Sequence, residues 1–353
     1  MREWEHNIRN VEPYIPGEQP KSVGVIKLNT NENPYPPSPK AELAARDFNF
    51  DRLKLYPDPN ASELVHGLAK YYQVLDNQVF VGVGSDDVLS ICFLTFFNSD
   101  KPVLFPDISY SFYPVWANMY QIPYCEIPVD KDFHIVAKDY YRENGGIIFP
   151  NPNAPTSLYM GLDEVENIVK NNQESVVIVD EAYIDFGGQS AISLIDKYEN
   201  LLVVQTYSKS RSMAGMRIGY AIGSQRLIEA MQAVKFSINS YTMNITSLVY
   251  GSAVLEDEEY FQECVEKIIA TRERTKRELA ELGFTFLDSK TNFLFAQHKK
   301  IHADALFEEL KKKNIYVRYF NRPKIDNYLR ITIGTDEQMN KLFAALKEII
   351  NED

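Results

Sequence analysis

Between about residue 61 and residue 250, short runs of apolar residues alternate with longer segments of helical spacing. Buried strands are predicted for five runs, FVGVG (80–84), PVLF (102–105), GIIFP (146–150), SVVIVD (175–180) and LLVVQT (201–206). Helices are predicted for ASELVHGLAKYYQ, SDDVLSICFLTFF and LDEVENIVKNN, and the second begins on Ser and Asp residues that suit a helix N-terminus. Strands that alternate with helices in this way indicate an α/β fold with a mostly parallel sheet.

The pattern changes after about residue 250. The amphipathic segment VLEDEEYFQECVEKIIATRERTKRELAELG predicts one long helix that ends at a glycine. The runs FTFL, NFLFAQ, NIYVRYF and YLRITIG follow, interleaved with two more helical segments, and together they predict a smaller α+β domain. The first forty residues are rich in Pro, Asn and Gly, which favours extended and turn structure. We therefore expect an N-terminal arm at 1–45, a large domain at 46–250 and a small C-terminal domain at 251–353.

Composition narrows the class of protein. The 353 residues are 45% hydrophobic and 24% charged, which is the balance of a globular protein. A net charge of −12 argues against a nucleic-acid partner, because phosphate binding requires clustered Lys and Arg. The three cysteines and five histidines are scattered, so we expect no metal site and a reducing, cytoplasmic location. The polar N-terminus lacks the features of a signal peptide, and the longest apolar run, VLSICFLTFF, is too short to span a membrane.

Polar side chains follow each of the five predicted strands. In chain order these are Ser85 and Asp86, then Tyr110, then Asn151 and Asn153 in the turn PNPNAPTS, then Asp180 and Tyr183, and finally Thr206, Ser208 and Lys209. Each has an ordinary structural explanation alone, as a helix cap, a packed aromatic ring, a turn or a surface lysine. Ligands of open α/β sheets bind beyond the carboxyl ends of the strands. Five polar groups at five successive strand ends therefore predict one site.

Pyridoxal phosphate requires this set of groups. The cofactor needs a lysine for a Schiff base, an acid opposite its pyridine nitrogen and an anion site for its phosphate. Lys209 and Asp180 meet the first two requirements. The helix beginning at Ser85 and the cation of Arg217, eight residues after Lys209, meet the third.

Eight motifs, in this order along nearly the whole chain, resemble those of the fold-type I pyridoxal-phosphate-dependent aminotransferases. They are LNTNENPYPPSP, LYPDP, VGVGSDDVL, NPNAPT, VDEAYIDF, TYSKSRSMAGMRIGYAIG, TNFLFA and YLRITIG. NENP and LRITIG are similar to the branch of this family that acts on histidinol phosphate. The resemblance implies a mostly parallel seven-stranded sheet in the large domain, a homodimer and transamination. The implied reaction converts histidinol phosphate and 2-oxoglutarate to imidazole acetol phosphate and glutamate, in histidine biosynthesis.

The resemblance also implies a role for each matching residue. Lys209 would carry the cofactor and move the proton, Asp180 would pair with the pyridine nitrogen, and Tyr183 would contact the ring hydroxyl. The cofactor phosphate would be held by Ser208, Arg217 and the backbone at Ser85 and Asp86, with Tyr110 stacked on the ring. Thr206, at the end of LLVVQT, is a further cofactor-binding candidate. Tyr56, in LYPDP, would reach the cofactor phosphate of the neighbouring subunit. Substrate contacts are implied for Arg330, and also for Tyr14 and Asn33 in the N-terminal arm. Arg318, in VRYFNRPK just upstream of Arg330, could add charge for a phosphate or lie in a solvated loop.

The sequence leaves two questions about single residues unanswered, and it leaves three alternative functions. The family has an Asn directly before its Pro-Thr-Gly, where this chain has Ala154, so Asn153 or Asn151 is expected to replace it. Arg211 has no role that the sequence assigns. A phospho-amino-acid decarboxylase such as threonine-phosphate decarboxylase would share nearly every cofactor motif, and an aromatic amino-acid aminotransferase is a variant of the main hypothesis. A non-catalytic regulator is disfavoured by the acidic charge of the chain.

Overall fold

The computed structural model describes residues 2–20 and 24–352. Its α-helices are α1 (Pro39–Arg46), α2 (Ser62–Tyr72), α3 (Gly84–Phe96), α4 (Phe112–Tyr120), α5 (Leu162–Lys170), α6 (Gln225–Ile238), α7 (Ile245–Leu255), α8 (Glu258–Glu281), α9 (Ala303–Lys312) and α10 (Asp336–Glu352). Its strands are β1 (Ile26–Lys27), β2 (Val79–Gly82), β3 (Val103–Pro106), β4 (Tyr124–Ile127), β5 (Gly146–Pro150), β6 (Val177–Asp180), β7 (Leu201–Thr206), β8 (Gly219–Gly223), β9 (Phe284–Phe286), β10 (Phe293–His298), β11 (Ile315–Tyr316), β12 (Arg318–Tyr319) and β13 (Leu329–Thr332).

Seven strands form the central sheet, in the order β2-β8-β7-β6-β5-β3-β4. The pairs from β7 to β4 are parallel, whereas β8 is antiparallel to both of its neighbours. Strands β5 to β7 are buried along their whole length because helices cover both faces of the sheet, which explains their continuous apolar sequences. The expected α/β architecture with a mostly parallel seven-stranded sheet is confirmed.

The boundaries of the predicted strands agree closely with the structure, with one informative difference. The run FVGVG was expected to be strand throughout, but β2 ends at Gly82 and helix α3 begins at Gly84. Gly84 has a φ of +82°, a conformation that residues with a Cβ rarely adopt, and the chain turns there from strand to helix. The polar groups after β2 therefore lie on the first turn of α3.

A second sheet of four antiparallel strands, in the order β12-β13-β10-β9, lies in the C-terminal part of the chain. Helices α8, α9 and α10 pack with it around a core of its own, which also takes in Leu28, Ala154 and Tyr183. Strand β1 pairs with β11, so the N-terminal arm is attached to this C-terminal body. The domain limits at residues 45 and 250 stay predictions.

The prediction of one long helix from VLEDEEYFQ to ELG is wrong at its start. Two helices occupy this segment: α7 ends at Leu255 and α8 begins at Glu258. Asp257 stands between them with non-helical backbone, and its carboxylate accepts a hydrogen bond from Ser38 of the arm. A tertiary contact therefore breaks a segment whose periodicity favours one helix. Among the described residues, every helix is too short or too polar to cross a membrane.

Candidate active site

The site lies at the edge of the central sheet where β5, β6 and β7 end. Asp180 is the last residue of β6 and Thr206 is the last residue of β7, and the pairing of Pro150 with Asp180 brings the end of β5 beside them. Because β8 is antiparallel to both β7 and β2, strand β2 points the same way as β7. Helix α3 therefore also begins at this edge, and the five predicted strand ends converge.

Asp180 is the acid of the site and is only 5% exposed. Its carboxylate accepts hydrogen bonds from the Tyr113 hydroxyl (2.9 Å) and the Ala182 backbone N–H (3.2 Å). Burial raises the pKa of Asp180 to about 6, against the lowering effect of these two bonds. A buried carboxylate of this kind is stabilised by a cationic partner, such as the protonated nitrogen of a heterocycle. Tyr113 was not assigned from the sequence, because only the fold brings α4 against the end of β6.

Lys209 follows β7 and faces the same space. Its ammonium Nζ lies 3.3 Å from the Thr30 carbonyl oxygen of the arm and 5.7 Å from the centre of the Tyr183 ring. It is near enough to Asp180 for its charge to lower the pKa of that carboxyl. The structure therefore brings the predicted amine and acid together.

The start of α3 forms a cradle for an anion. No side chain in the described part of the chain caps this helix, so its first N–H groups, at Ser85 and Asp86, are available to a ligand. The Arg217 guanidinium lies over Gly84, where an added Cβ would be 2.6 Å from Nη2. The backbone of Gly219 approaches so closely that a Cβ there would be 2.3 Å from the Ser85 nitrogen.

Hydroxyl groups and an acid complete this cradle. Thr206 Oγ1 lies 3.0 Å from Ser208 Oγ and accepts a hydrogen bond from the Ser208 backbone N–H. The Asp86 carboxylate bridges Arg217 (3.5 Å) and the Tyr110 hydroxyl (2.6 Å). The uncapped N–H groups, the guanidinium and the two hydroxyls have the donor chemistry that a phosphate needs.

Aromatic rings from the arm and from α4 line one side of the site. Tyr14 stacks on Phe112, with ring centres 4.2 Å apart, and its ring centre is 6.4 Å from that of Tyr110. The predicted stacking residue Tyr110 and the predicted substrate residue Tyr14 are therefore neighbours, and the arm closes over them.

Two arginines of the C-terminal body form a second cationic patch. Arg318 and Arg330 are directly opposite in the register of β12 and β13, so their side chains leave the same face of the sheet. Arg330 donates to the Asn29 carbonyl oxygen (2.9 Å), while its Nε has no hydrogen-bond partner among the described residues. Burial lowers the pKa of Arg330, and nearby Arg318 adds to that effect. Both features favour binding of an anion here.

Both candidate replacements for the missing asparagine donate hydrogen bonds to backbone carbonyl groups. Asn151 bonds through its whole amide to the Met160 backbone, accepting at 2.8 Å and donating at 3.0 Å. Asn153 donates to the Ile108 carbonyl oxygen at 2.9 Å. Both asparagines line a separate cavity of 490 Å³, whose lining does not include Lys209 or Asp180. Asn153 Oδ1 has no hydrogen-bond partner among the described residues.

Other predicted residues have specific neighbours. Asn33 donates to the Ser210 carbonyl oxygen at 3.0 Å and accepts from the Tyr35 backbone, so its amide holds the arm to the lysine loop. Tyr56 is 80% exposed and stacks on Tyr241. Within one chain its ring is therefore largely open to solvent.

Asn31 is a residue that the sequence did not assign. It is 1% exposed and donates to the Tyr183 hydroxyl at 2.9 Å, so the arm contacts the site through this side chain as well. The only sequence signal is its place in NTNEN, where three asparagines recur at every second position.

Arg211 is buried at the junction of the two bodies. Its guanidinium carbon lies 4.1 Å from the ring centre of Phe261 in α8 and 4.8 Å from that of Tyr71 in α2. Burial raises the pKa of Asp185, which Ser210 contacts, and the charge of Arg211 acts against that rise. Arg211 therefore packs the lysine loop between a helix of the main body and the first helix of the C-terminal body.

Comparison with known proteins shows which family model and which relatives this chain is similar to. The family model described as aminotransferase class I and II matches residues 23–346. A histidinol-phosphate aminotransferase of Lactococcus lactis subsp. cremoris (strain MG1363) is 52% identical over 347 residues, which are 98% of either chain. One from Clostridium acetobutylicum is 52% identical over 348 residues, which are 98% of this chain and 99% of that one. The solved histidinol-phosphate aminotransferase of Sinorhizobium meliloti, in complex with pyridoxal-5'-phosphate, has a TM-score of 0.85 at 23% identity and covers 93% of this chain and 91% of its own.

Proposed function

Because the chain belongs to the aminotransferase class I and II family, we propose that it transfers the amino group of histidinol phosphate to 2-oxoglutarate, with pyridoxal 5'-phosphate as cofactor. The products are imidazole acetol phosphate and glutamate, in histidine biosynthesis. The observation that carries the proposal is the meeting of Lys209, buried Asp180 and the uncapped start of α3 at one sheet edge. The proposed substrate comes from the names of two relatives that are each 52% identical to this chain.

The residues present fit the proposed cofactor. When bound, pyridoxal 5'-phosphate supplies an aldehyde that takes up the amino group and a ring that withdraws electrons from the substrate carbon. Arg217, Ser208, Thr206 and the N–H groups of α3 would hold its phosphate. Asp180, whose pKa is raised by burial, would gain a cationic partner in the ring nitrogen and would keep that nitrogen protonated.

Lys209 would act as the base of the reaction. Its amine stands at the end of β7 facing Tyr183, so it can take a proton from the substrate carbon and return it at a neighbouring atom. Tyr110 would pack against the cofactor ring and Tyr183 would bond the ring hydroxyl.

The arginine pair would bind the substrate anion. Arg330, with its unpartnered Nε, and Arg318 opposite it can hold the phosphate of histidinol phosphate in one half-reaction and a carboxylate of 2-oxoglutarate in the other. Tyr14 and Asn33 lie on the arm that closes over the same space, so they are further substrate candidates.

We further propose a homodimer that works in the cytoplasm. Exposed apolar side chains lie close to Tyr56 in the sequence, at Phe50, Leu53 and Leu55, and a second copy would cover them. In that dimer Tyr56 would reach the cofactor phosphate of the neighbouring subunit. The three cysteines are all free thiols, which suits a reducing compartment.

A panel of amino donors tests the substrate. The purified, cofactor-loaded protein is incubated with 2-oxoglutarate and histidinol phosphate, phenylalanine or threonine phosphate, and glutamate and carbon dioxide are both measured. Glutamate should form fastest with histidinol phosphate, without carbon dioxide. Release of carbon dioxide without glutamate would refute the aminotransferase and favour a decarboxylase.

Borohydride reduction tests the site. The reduced cofactor should be found on Lys209 by peptide mass spectrometry, and Lys209→Ala should abolish glutamate formation. Lys170→Ala is the matched control, because Lys170 is exposed at the end of α5. Labelling of another lysine, or turnover by the Lys209→Ala protein, would contradict the assignment.

A further inference from the structure

Tyr183 faces the site without the asparagine that the family pattern has at Ala154. Asn151 and Asn153 donate to the Met160 and Ile108 carbonyl oxygens, and among the described residues neither bonds the Tyr183 hydroxyl. A tyrosine hydroxyl that works alone on a ring oxygen must direct its single proton toward that oxygen. The question is therefore what orients the Tyr183 hydroxyl.

Asn31 makes four hydrogen bonds and is almost completely buried. Its backbone N–H donates to Thr332 Oγ1 (3.0 Å), and its carbonyl oxygen accepts from the Asn292 amide (3.0 Å). Its side-chain Oδ1 accepts from Thr332 Oγ1 (3.0 Å), and its Nδ2 donates to the Tyr183 hydroxyl (2.9 Å). Its φ is +56°, a conformation that asparagine tolerates better than most residues do. Both the backbone and the amide therefore favour asparagine at this position.

The directions of these bonds follow from the chemistry of the Thr332 hydroxyl. It accepts the proton of the Asn31 backbone, so it gives its own proton to Asn31 Oδ1. That bond fixes the orientation of the amide and turns Nδ2, which can only donate, toward Tyr183. The Tyr183 oxygen therefore accepts from Asn31, and its own proton is free to point at a ligand in the site. Among the described residues Asn31 is the one hydrogen-bond partner of the Tyr183 hydroxyl.

We propose that Asn31 is a positioning residue that makes Tyr183 the hydrogen-bond donor to the ring oxygen of the cofactor, in place of the amide absent at Ala154. This inference rests on the proposed function, because it requires pyridoxal phosphate in the site. Thr332 stands two residues after Arg330 on β13, so both side chains leave the same face of that strand. The orientation of Tyr183 is thereby tied to the strand that carries the candidate anion-binding arginine.

The test uses the pH midpoint of the visible absorption band of the cofactor-loaded protein, together with the cofactor dissociation constant. A donor to the ring oxygen stabilises its anionic form and lowers the midpoint, so loss of the donor raises it. Tyr183→Phe should raise the midpoint by about one pH unit, which corresponds to the hydrogen bond of a charged group. Asn31→Gly keeps the positive φ and removes the amide, and it should raise the midpoint by about half as much. Asn29→Ala is the control, since among the described residues that amide makes one hydrogen bond, to the Glu18 carbonyl oxygen of the arm, and its midpoint should not move.

A variant with both Asn31→Gly and Tyr183→Phe shows whether Asn31 acts through Tyr183 or affects the cofactor independently of it. If Asn31 acts through Tyr183, Asn31→Gly should shift the midpoint in the wild-type background and have no effect in the Tyr183→Phe background. An equal shift in both backgrounds, or no shift in the wild type, would overturn the proposal. If the Asn31→Gly protein does not fold, Thr332→Val removes the bond that orients the amide and should give the same pattern.

The same measurements separate this inference from the proposed function. A protein that binds the cofactor on Lys209 but shows no shift in Tyr183→Phe would overturn the role of Asn31 and leave the aminotransferase proposal standing. A protein that binds no cofactor on Lys209 would refute both.

Discussion

Replacement of Asp180 by asparagine should stabilise the cofactor-free protein while weakening cofactor binding. The carboxyl is 5% exposed, and burial raises its pKa from the usual 3.8 to about 6. A raised folded-state pKa means that the folded protein binds the proton more tightly than the unfolded chain does. The cost of ionising Asp180 therefore appears as the pH rises from about 4 to about 6 and is constant above that range. Asparagine does not ionise, so it avoids this cost.

The size of the effect follows from the shift in pKa. About two pKa units at about 1.4 kcal/mol each give about 3 kcal/mol at pH 8. Asparagine can retain both contacts, because its Oδ1 can accept from Ala182 and its Nδ2 can donate to the Tyr113 oxygen. With an unfolding entropy of about 2.1 cal/mol/K per residue, 3 kcal/mol raises the melting temperature of a chain this long by about 4 °C.

Urea denaturation of the cofactor-free proteins at pH 8 and at pH 5 measures this gain. Asp180→Asn should be more stable than wild type at pH 8, and the difference should shrink at pH 5. Asp47→Asn, at an exposed position after α1, should change neither value. Equal or lower stability of Asp180→Asn at pH 8, or a gain that does not depend on pH, would show that ionisation of Asp180 does not destabilise the folded protein. Cofactor titration of the same variant should give the opposite sign, with a higher dissociation constant, because the ring nitrogen loses its anionic partner.

Three further predictions concern the surroundings of Lys209. Arg211→Lys keeps the charge but loses the planar guanidinium that lies over three aromatic rings, so denaturation should show a loss of about 2 kcal/mol; an unchanged midpoint would contradict this. Gly219→Ala places a Cβ against the start of α3, and cofactor titration should show affinity on the order of tenfold weaker, whereas Gly215→Ala, with open space around it, should bind normally. Mixed Tyr56→Ala and Lys209→Ala subunits should regain about one quarter of wild-type activity, since about half of the dimers are hybrids with one intact site; no regain would rule out a contribution of Tyr56 across the interface.

The strands and the amine–acid pair could be predicted from the sequence because their signals are local. Strands β5 and β7 coincide with apolar runs that are buried on both faces, and Asp180 and Lys209 directly follow such runs. Their convergence needed only the rule that parallel strands end at one edge. The direction of β2 could not be obtained in this way, since it depends on antiparallel β8 lying between β2 and β7.

Several features that sequence reasoning missed depend on distant contacts. The break between α7 and α8 involves Ser38, which lies 219 positions away from Asp257. Arg211 gained a role only when α2 and α8 enclosed it. Periodicity and motif spacing describe neighbours along the chain, so they carry no signal for contacts of this kind.

The attachment of the arm has a consequence for the order in which the protein can be completed during synthesis. Asn31 emerges from the ribosome 301 residues before its partner Thr332. At about 5 to 20 residues per second, that interval lasts about 15 to 60 seconds. The central sheet can form before the arm docks, because the arm can dock only when β11 and β13 have been made. The nascent chain can therefore place Asp180 and Lys209 before the arm closes over them, and the site becomes complete only after β13 has been made.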